Sequence, residues 1–146
     1  MCIVLGILIL ALLAYIVYLY ASYYRIEDNQ ELVVEAPVDD TTTGAAAVLA
    51  TDTEYSAVTY NIGFGAYLPD YSFFMDGGKQ VRAPSKTVVE KNMDGIVSTV
   101  KDLNADFTFL QEIEADPSTR SYGIEEAERM RTETGLDTAH ARNYKC

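Results

Sequence analysis

Asn61, in "TYNIGFG", and Glu112, in "FLQEIE", are the two side chains in this sequence best suited to phosphate and metal chemistry. Glu112 follows the apolar run Phe107, Phe109 and Leu110. A carboxylate delivered by such a run is expected to be rigidly placed and partly dry. Isolated buried carboxylates are costly, so one in this position neutralises or finds a cation. Magnesium takes only one or two protein carboxylates, with water and phosphate oxygens completing its shell. Asn61 offers an amide that can donate to a phosphate oxygen and accept from a neighbour. The plainer alternatives are a loop cap or surface charge for Glu112 and a turn former for Asn61. Asp76 with Gly77 and Gly78 could similarly be a metal loop or a tight turn. Glu114 is a candidate to support Glu112 from behind.

These residues need elements to bring them together. "EYSAVTYN" alternates in β-favouring company and predicts a strand over 55–61, ended by Gly63 and Gly65. "DFTFLQE" predicts a second strand over 106–112. Between them, Val89, Met93, Ile96, Val97, Val100 and Leu103 recur at spacings of three and four, one apolar helical face. Ser85 or Thr87 can cap its start, with Glu90 at capping-box distance from Thr87, and Asn104 suits its exit. Gly95, inside it, is read as a point of close packing against the sheet. Strand, helix, strand makes a βαβ unit with parallel strands. Its carboxyl ends, Asn61 and Glu112, then share one rim, where open α/β arrangements place ligands. A polar helix over 124–135 and a third strand beginning in 137–145 follow. The intervening loop 64–84 is rich in aromatics, which argues against disorder.

Outside this unit, no charged side chain occurs in the first 24 residues. Residues 2–22, as a helix, match the thickness of a hydrocarbon core at about 30 Å. Tyr15, Tyr18, Tyr20, Tyr23 and Tyr24 crowd the exit as interfacial anchors do. An uncleaved single-pass anchor is expected over 1–24, with a cleaved signal peptide as the rival. The positive-inside rule does not orient it, and the domain is expected on the extracytoplasmic side. Residues 27–54 hold eight acids and no base, a large share of the net charge of −11. The segment 25–54 reads as a solvated acidic spacer, so acidity says little about substrate. Lys79, Arg82, Lys86, Lys91 and Lys101 form either a basic face or a solvated helix surface. Cys2 and Cys146 sit at opposite ends, with no disulfide partner and no metal spacing.

"TYNIGFG" followed about fifty residues later by "FLQEIE" resembles the opening of the endonuclease/exonuclease/phosphatase superfamily. The wider run "YNIGFGAYLPDYSFFMDGGK" with "STRSY" is similar to a membrane-anchored bacterial branch of it, over residues 55–122. The resemblance implies an α/β (α+β) fold, the N-terminal part of a four-layered αββα sandwich over 55–146, preceded by one transmembrane helix. It implies a phosphoesterase dependent on Mg2+ or Mn2+. Glu112 would be the metal ligand, Asn61 a direct or supporting ligand, Gln111 a weaker candidate, and Arg120 a phosphate contact. For Arg120 the alternative is a salt bridge to Glu114 or Asp116. The substrate would be a phosphate ester: nucleic acid, a phospholipid headgroup or a small phosphoester. The superfamily's later Gly-Asp-x-Asn and Ser-Asp-His motifs do not occur here, and His140 has no preceding Asp. His140 is expected to be a strand or loop residue. The chain is therefore expected to be an inactive N-terminal portion of a longer enzyme. The reading from another class is a non-catalytic, membrane-anchored interaction protein or gene remnant. Without a second sheet, Val58, Phe107 or Phe109 should face water.

Overall fold

The computed structural model describes residues 2–24, 27–36 and 49–142. The chain divides into two units, Met1–Val33 with His140–Cys146, and Val34–Ala139. In the first, helix α1 runs from Cys2 to Ser22. The side chains described along it, from Ile3 to Ser22, are exposed on every side. It is long and apolar enough to cross a membrane, which a signal sequence also satisfies.

The second unit carries the chemistry-bearing residues. Strand β1 (Val34–Glu35) is followed by β2 (Ala57–Asn61), α2 (Lys86–Leu103), β3 (Phe107–Gln111), α3 (Glu126–Thr134) and β4 (Thr138–Ala139). β2 and β3 are parallel, with Ala57 opposite Phe107 and Asn61 opposite Gln111. β1 and β4 form a separate antiparallel pair, Val34 opposite Ala139 and Glu35 opposite Thr138. The expected spacer thus contributes a strand at Val34–Glu35. The β-branched Val34 suits extended backbone, and Arg131 ties the segment down by donating to the Ala36 carbonyl at 2.7 Å. Residues 25, 26 and 37–48 of the expected spacer lie outside the described residues. The expected strand beyond 137 is only two residues long, and His140 follows it, exposed and in a loop.

α2 forms where its apolar period places it. Ser85 is the N-cap, its hydroxyl accepting from the Val88 N–H at 3.2 Å, and Asn104 ends the helix in the left-handed conformation. Val89, Met93, Ile96, Val97 and Val100 are buried. Tyr60 of β2 and Leu110 of β3 pack against this cluster, so α2 covers one face of the parallel pair. Leu103, in the last turn, is 53 % exposed. Gly95 does not pack closely against the sheet: a Cβ there would meet nothing within 4 Å.

The opposite sheet face is open. Side chains two apart share a face, and Ala57, Thr59, Asn61, Phe109 and Gln111 are all exposed. Phe109 is 59 % exposed, whereas Phe107 and Val58 are half-buried. Phe107 is sheltered by Tyr55, whose ring stands edge-on at 5.9 Å. Of the three side chains expected to face water, Phe109 does so, while Val58 lies on the α2 side of the pleat. Among the described residues no second layer covers that face.

Candidate functional site

"NIGFG" makes an unusual turn at the end of β2. Gly63, Phe64 and Gly65 all have positive φ, at 53°, 42° and 61°. The glycines are required. A Cβ on Gly63 would fall 2.3 Å from the Tyr67 ring, and one on Gly65 would fall 2.8 Å from Val89 Cγ1. Phe64 carries a side chain in this disfavoured region, and its burial holds it there. It is completely buried, with Tyr71 and Phe73 edge-on at 6.3 and 5.8 Å. The Arg120 guanidinium lies 4.3 Å above its ring.

Glu112 comes from the other strand to the same turn. Its main-chain carbonyl accepts from the Phe64 N–H at 2.8 Å, and Gln111's carbonyl accepts from Ile62 at 3.0 Å. To reach it, Glu112 adopts φ 54°, disfavoured for a residue with a side chain. Asn61 Nδ2 donates to Glu112 Oε1 at 2.8 Å, and Asn61 Oδ1 accepts from the Gly63 N–H at 2.9 Å. The rim is therefore a closed set of bonds: Asn61 fastens the carboxylate on one side and the turn on the other. The expected meeting of Asn61 and Glu112 occurs, but the expected dryness does not, because both are exposed.

An open cavity of about 770 Å³ adjoins the rim. Its lining includes Asn61, Glu112, Tyr67, Asp76, Lys91 and Asn92. Asn92 Nδ2 donates to the Gly65 carbonyl at 2.8 Å, fixing the turn to α2. The Tyr67 hydroxyl donates to Asp76 Oδ2 at 3.2 Å. Burial of the phenol, followed by the Asp76 charge, raises the Tyr67 pKa, so it stays protonated and a donor. Asp76 ends a single helical turn, Phe74–Asp76, closed by Gly77 at φ 83°. The tight-turn reading of this loop describes it.

The remaining candidates are engaged elsewhere. Gln111 Nε2 donates to Thr59 Oγ1 and to the Phe109 carbonyl, both at 3.0 Å, on the open sheet face. Arg120 Nε is paired with Glu114 Oε1, the salt-bridge alternative. Glu114 thus serves Arg120, and its N–H donates to Glu126 Oε2 at 3.1 Å. Phe64 and Glu126 were missed from the sequence. A lone aromatic between two glycines was the available signal for Phe64; Glu126 in "IEEAERM" carries none, since its neighbours are equally acidic.

The donor set does not fit the expected ion. Among the described residues, no group of three or more His, Cys, Asp or Glu is placed to hold a metal. One of the Glu112 oxygens already accepts from Asn61. The expectation of a Mg2+ or Mn2+ site at Glu112, Asn61 and Gln111 is corrected accordingly: two strand ends supply one carboxylate and an amide that points its donor at it. No protein-family model matches the chain, and neither does a curated protein or a solved structure. The nuclease and phosphodiesterase signature expected with the metal is corrected with it, since no family model carries it and the ligand set is incomplete.

Proposed function

We propose that this chain is a non-catalytic interaction protein held at a membrane by α1, its domain on the extracytoplasmic side. The observation that carries this reading is the use to which the rim is put. Asn61 bonds to Glu112 on one side and to the Gly63 turn on the other, as a fastener of a loop. The surface left for a partner is the open face of β2 and β3. Parallel sheets are ordinarily covered on both faces, and among the described residues only α2 covers one. Phe109, flanked by Phe107 with Tyr55 beside it, supplies the kind of aromatic anchor that protein interfaces concentrate. The matching occupant is a polypeptide surface with an apolar, sheet-like layer.

The test places a photo-crosslinking residue at position 59, beside Phe109, in the full chain in membranes. A discrete polypeptide adduct that vanishes on Phe109→Ser supports the reading. Absence of any adduct, together with phosphoesterase activity that Glu112→Gln abolishes, would sink it.

A further inference from the structure

Glu126 is the first residue of α3 and is completely buried. Its Oε2 accepts from the Glu114 N–H at 3.1 Å, and its Oε1 has no hydrogen-bond partner. That orphan oxygen lies against the turn at the rim: a Cβ on Gly65 would stand 3.4 Å from it. The next residue of α3, Ala127, donates its N–H to the Glu114 carbonyl at 3.1 Å. One side chain thus touches three elements: the start of α3, the loop leaving β3, and the turn leaving β2.

We propose that Glu126 is a proton-controlled latch, which in its neutral form fastens α3 to the β3-exit loop and the Gly63–Gly65 turn and in its ionised form lets them part. A protonated carboxyl can sit in an apolar niche with one oxygen unpaired far more cheaply than a carboxylate can. Burial raises its pKa to about 7, against the opposing pull of the Glu114 N–H. The charges facing it from the β3-exit loop are Glu114, which raises the value further, and Arg120, which lowers it. These two are paired with each other, so neither acts as a full charge. From α2, Glu90 and Asp94 reach α3 through Arg129, which donates to the Glu90 carbonyl at 3.0 Å and pairs with Asp94.

The sign follows from linkage. The pKa in the closed form is raised, so opening releases a proton once the pH exceeds the ordinary glutamate value. The latch is at full strength below that value, weakens about tenfold per pH unit above it, and levels off past about 7. This inference does not depend on the docking reading of the sheet face.

Amide hydrogen exchange on the full chain in detergent micelles tests it, with protection corrected for intrinsic rates, from about pH 5 to about pH 8. Protection over residues 113–131 should fall about tenfold per unit and then level, while α2 keeps its protection. Glu126→Gln, neutral at every pH, should be flat. Flat protection in the wild type, or the same fall in Glu126→Gln, would overturn the latch. Should the variant fail to fold, the carboxyl carbon of Glu126 is titrated by NMR in the wild type. A midpoint near 7 is expected, and an ordinary glutamate midpoint overturns the proposal.

Discussion

At the scale of single residues, Asn61 and Glu112 separate a fastening role from a chemical one. Asn61→Ala removes the bond to Glu112 and leaves the Gly63 N–H without its partner. At a partly buried site that costs about 1–2 kcal/mol, which a shift in urea midpoint would register. Glu112→Gln keeps an acceptor oxygen within reach of Asn61 Nδ2, so its unfolding free energy should change by less than about 0.5 kcal/mol. The left-handed backbone at Glu112 gives a second handle. Glu112→Gly relieves that φ while losing the acceptor, so it should be less harmful than Glu112→Val, whose β-branched side chain tolerates the conformation worst. Equal unfolding midpoints for the glycine and valine variants would contradict the backbone reading.

At the scale of elements, what holds the βαβ unit together is found at its ends. Ser85 caps α2, and Ser85→Ala should cost about 1 kcal/mol in an equilibrium melt. At the entry of the parallel pair, Asp106 Oδ2 accepts from the Ser56 N–H and hydroxyl, each at 2.7 Å, and the Asp106 N–H donates to Ser56 Oγ at 2.9 Å. The Ser56 hydroxyl, then its N–H, hold the Asp106 carboxyl below its ordinary pKa. A depressed value adds stability above the unfolded pKa and loses it as the pH falls through the folded one. Asp106→Asn should therefore lower the melting temperature near neutrality, and the gap should close on acidification below about pH 4. A gap independent of pH would assign the loss to shape and not to charge. α3 is stabilised electrostatically by Glu128 in its first turn and Arg131 in its last, matching the helix dipole. Arg131, bonded to Glu128 at 2.7 Å, holds that carboxyl below the usual range.

At the scale of the molecule, large apolar side chains face outward all round α1 and, on the open face of the parallel pair, at Phe109. A helix exposing Ile3, Leu5, Leu8, Leu12 and Tyr20 all round is stable in hydrocarbon, where its backbone bonds are internal. The full chain should pellet with membranes, resist extraction by alkaline carbonate and keep its original N-terminus. A soluble product starting near residue 22 would reassign α1 as a cleaved leader. The open sheet face predicts a different behaviour. Residues 26–146 expressed alone should aggregate or bind hydrophobic dyes, because a solvated aromatic face invites association. Phe109→Lys should raise their solubility several-fold without changing the fold, since that side chain is already 59 % exposed. A soluble monomer with a sharp melt, before any substitution, would contradict this.

Local spacing made much of this protein legible. Twenty-one uncharged, mostly apolar residues make α1, because length and polarity alone decide whether a helix matches a bilayer. The three-and-four recurrence from Val89 to Val100 placed the buried face of α2, and Ser85 and Asn104 marked its ends. Parallel strands end at the same edge, so the meeting of Asn61 with Glu112 follows from two strands and a crossover helix. What depends on residues distant in sequence was not legible. That Val58 would be half-buried while Phe109 is exposed was decided by which face of the pair α2 covers. Gly95 faces an open cavity for a related reason. Val34–Glu35 became a strand only through a partner more than a hundred positions away. Glu112 and Glu126 end in opposite environments, one exposed and one fully buried. Nothing in the letter E distinguishes them, because the cost of a carboxylate is set by what the tertiary structure packs around it.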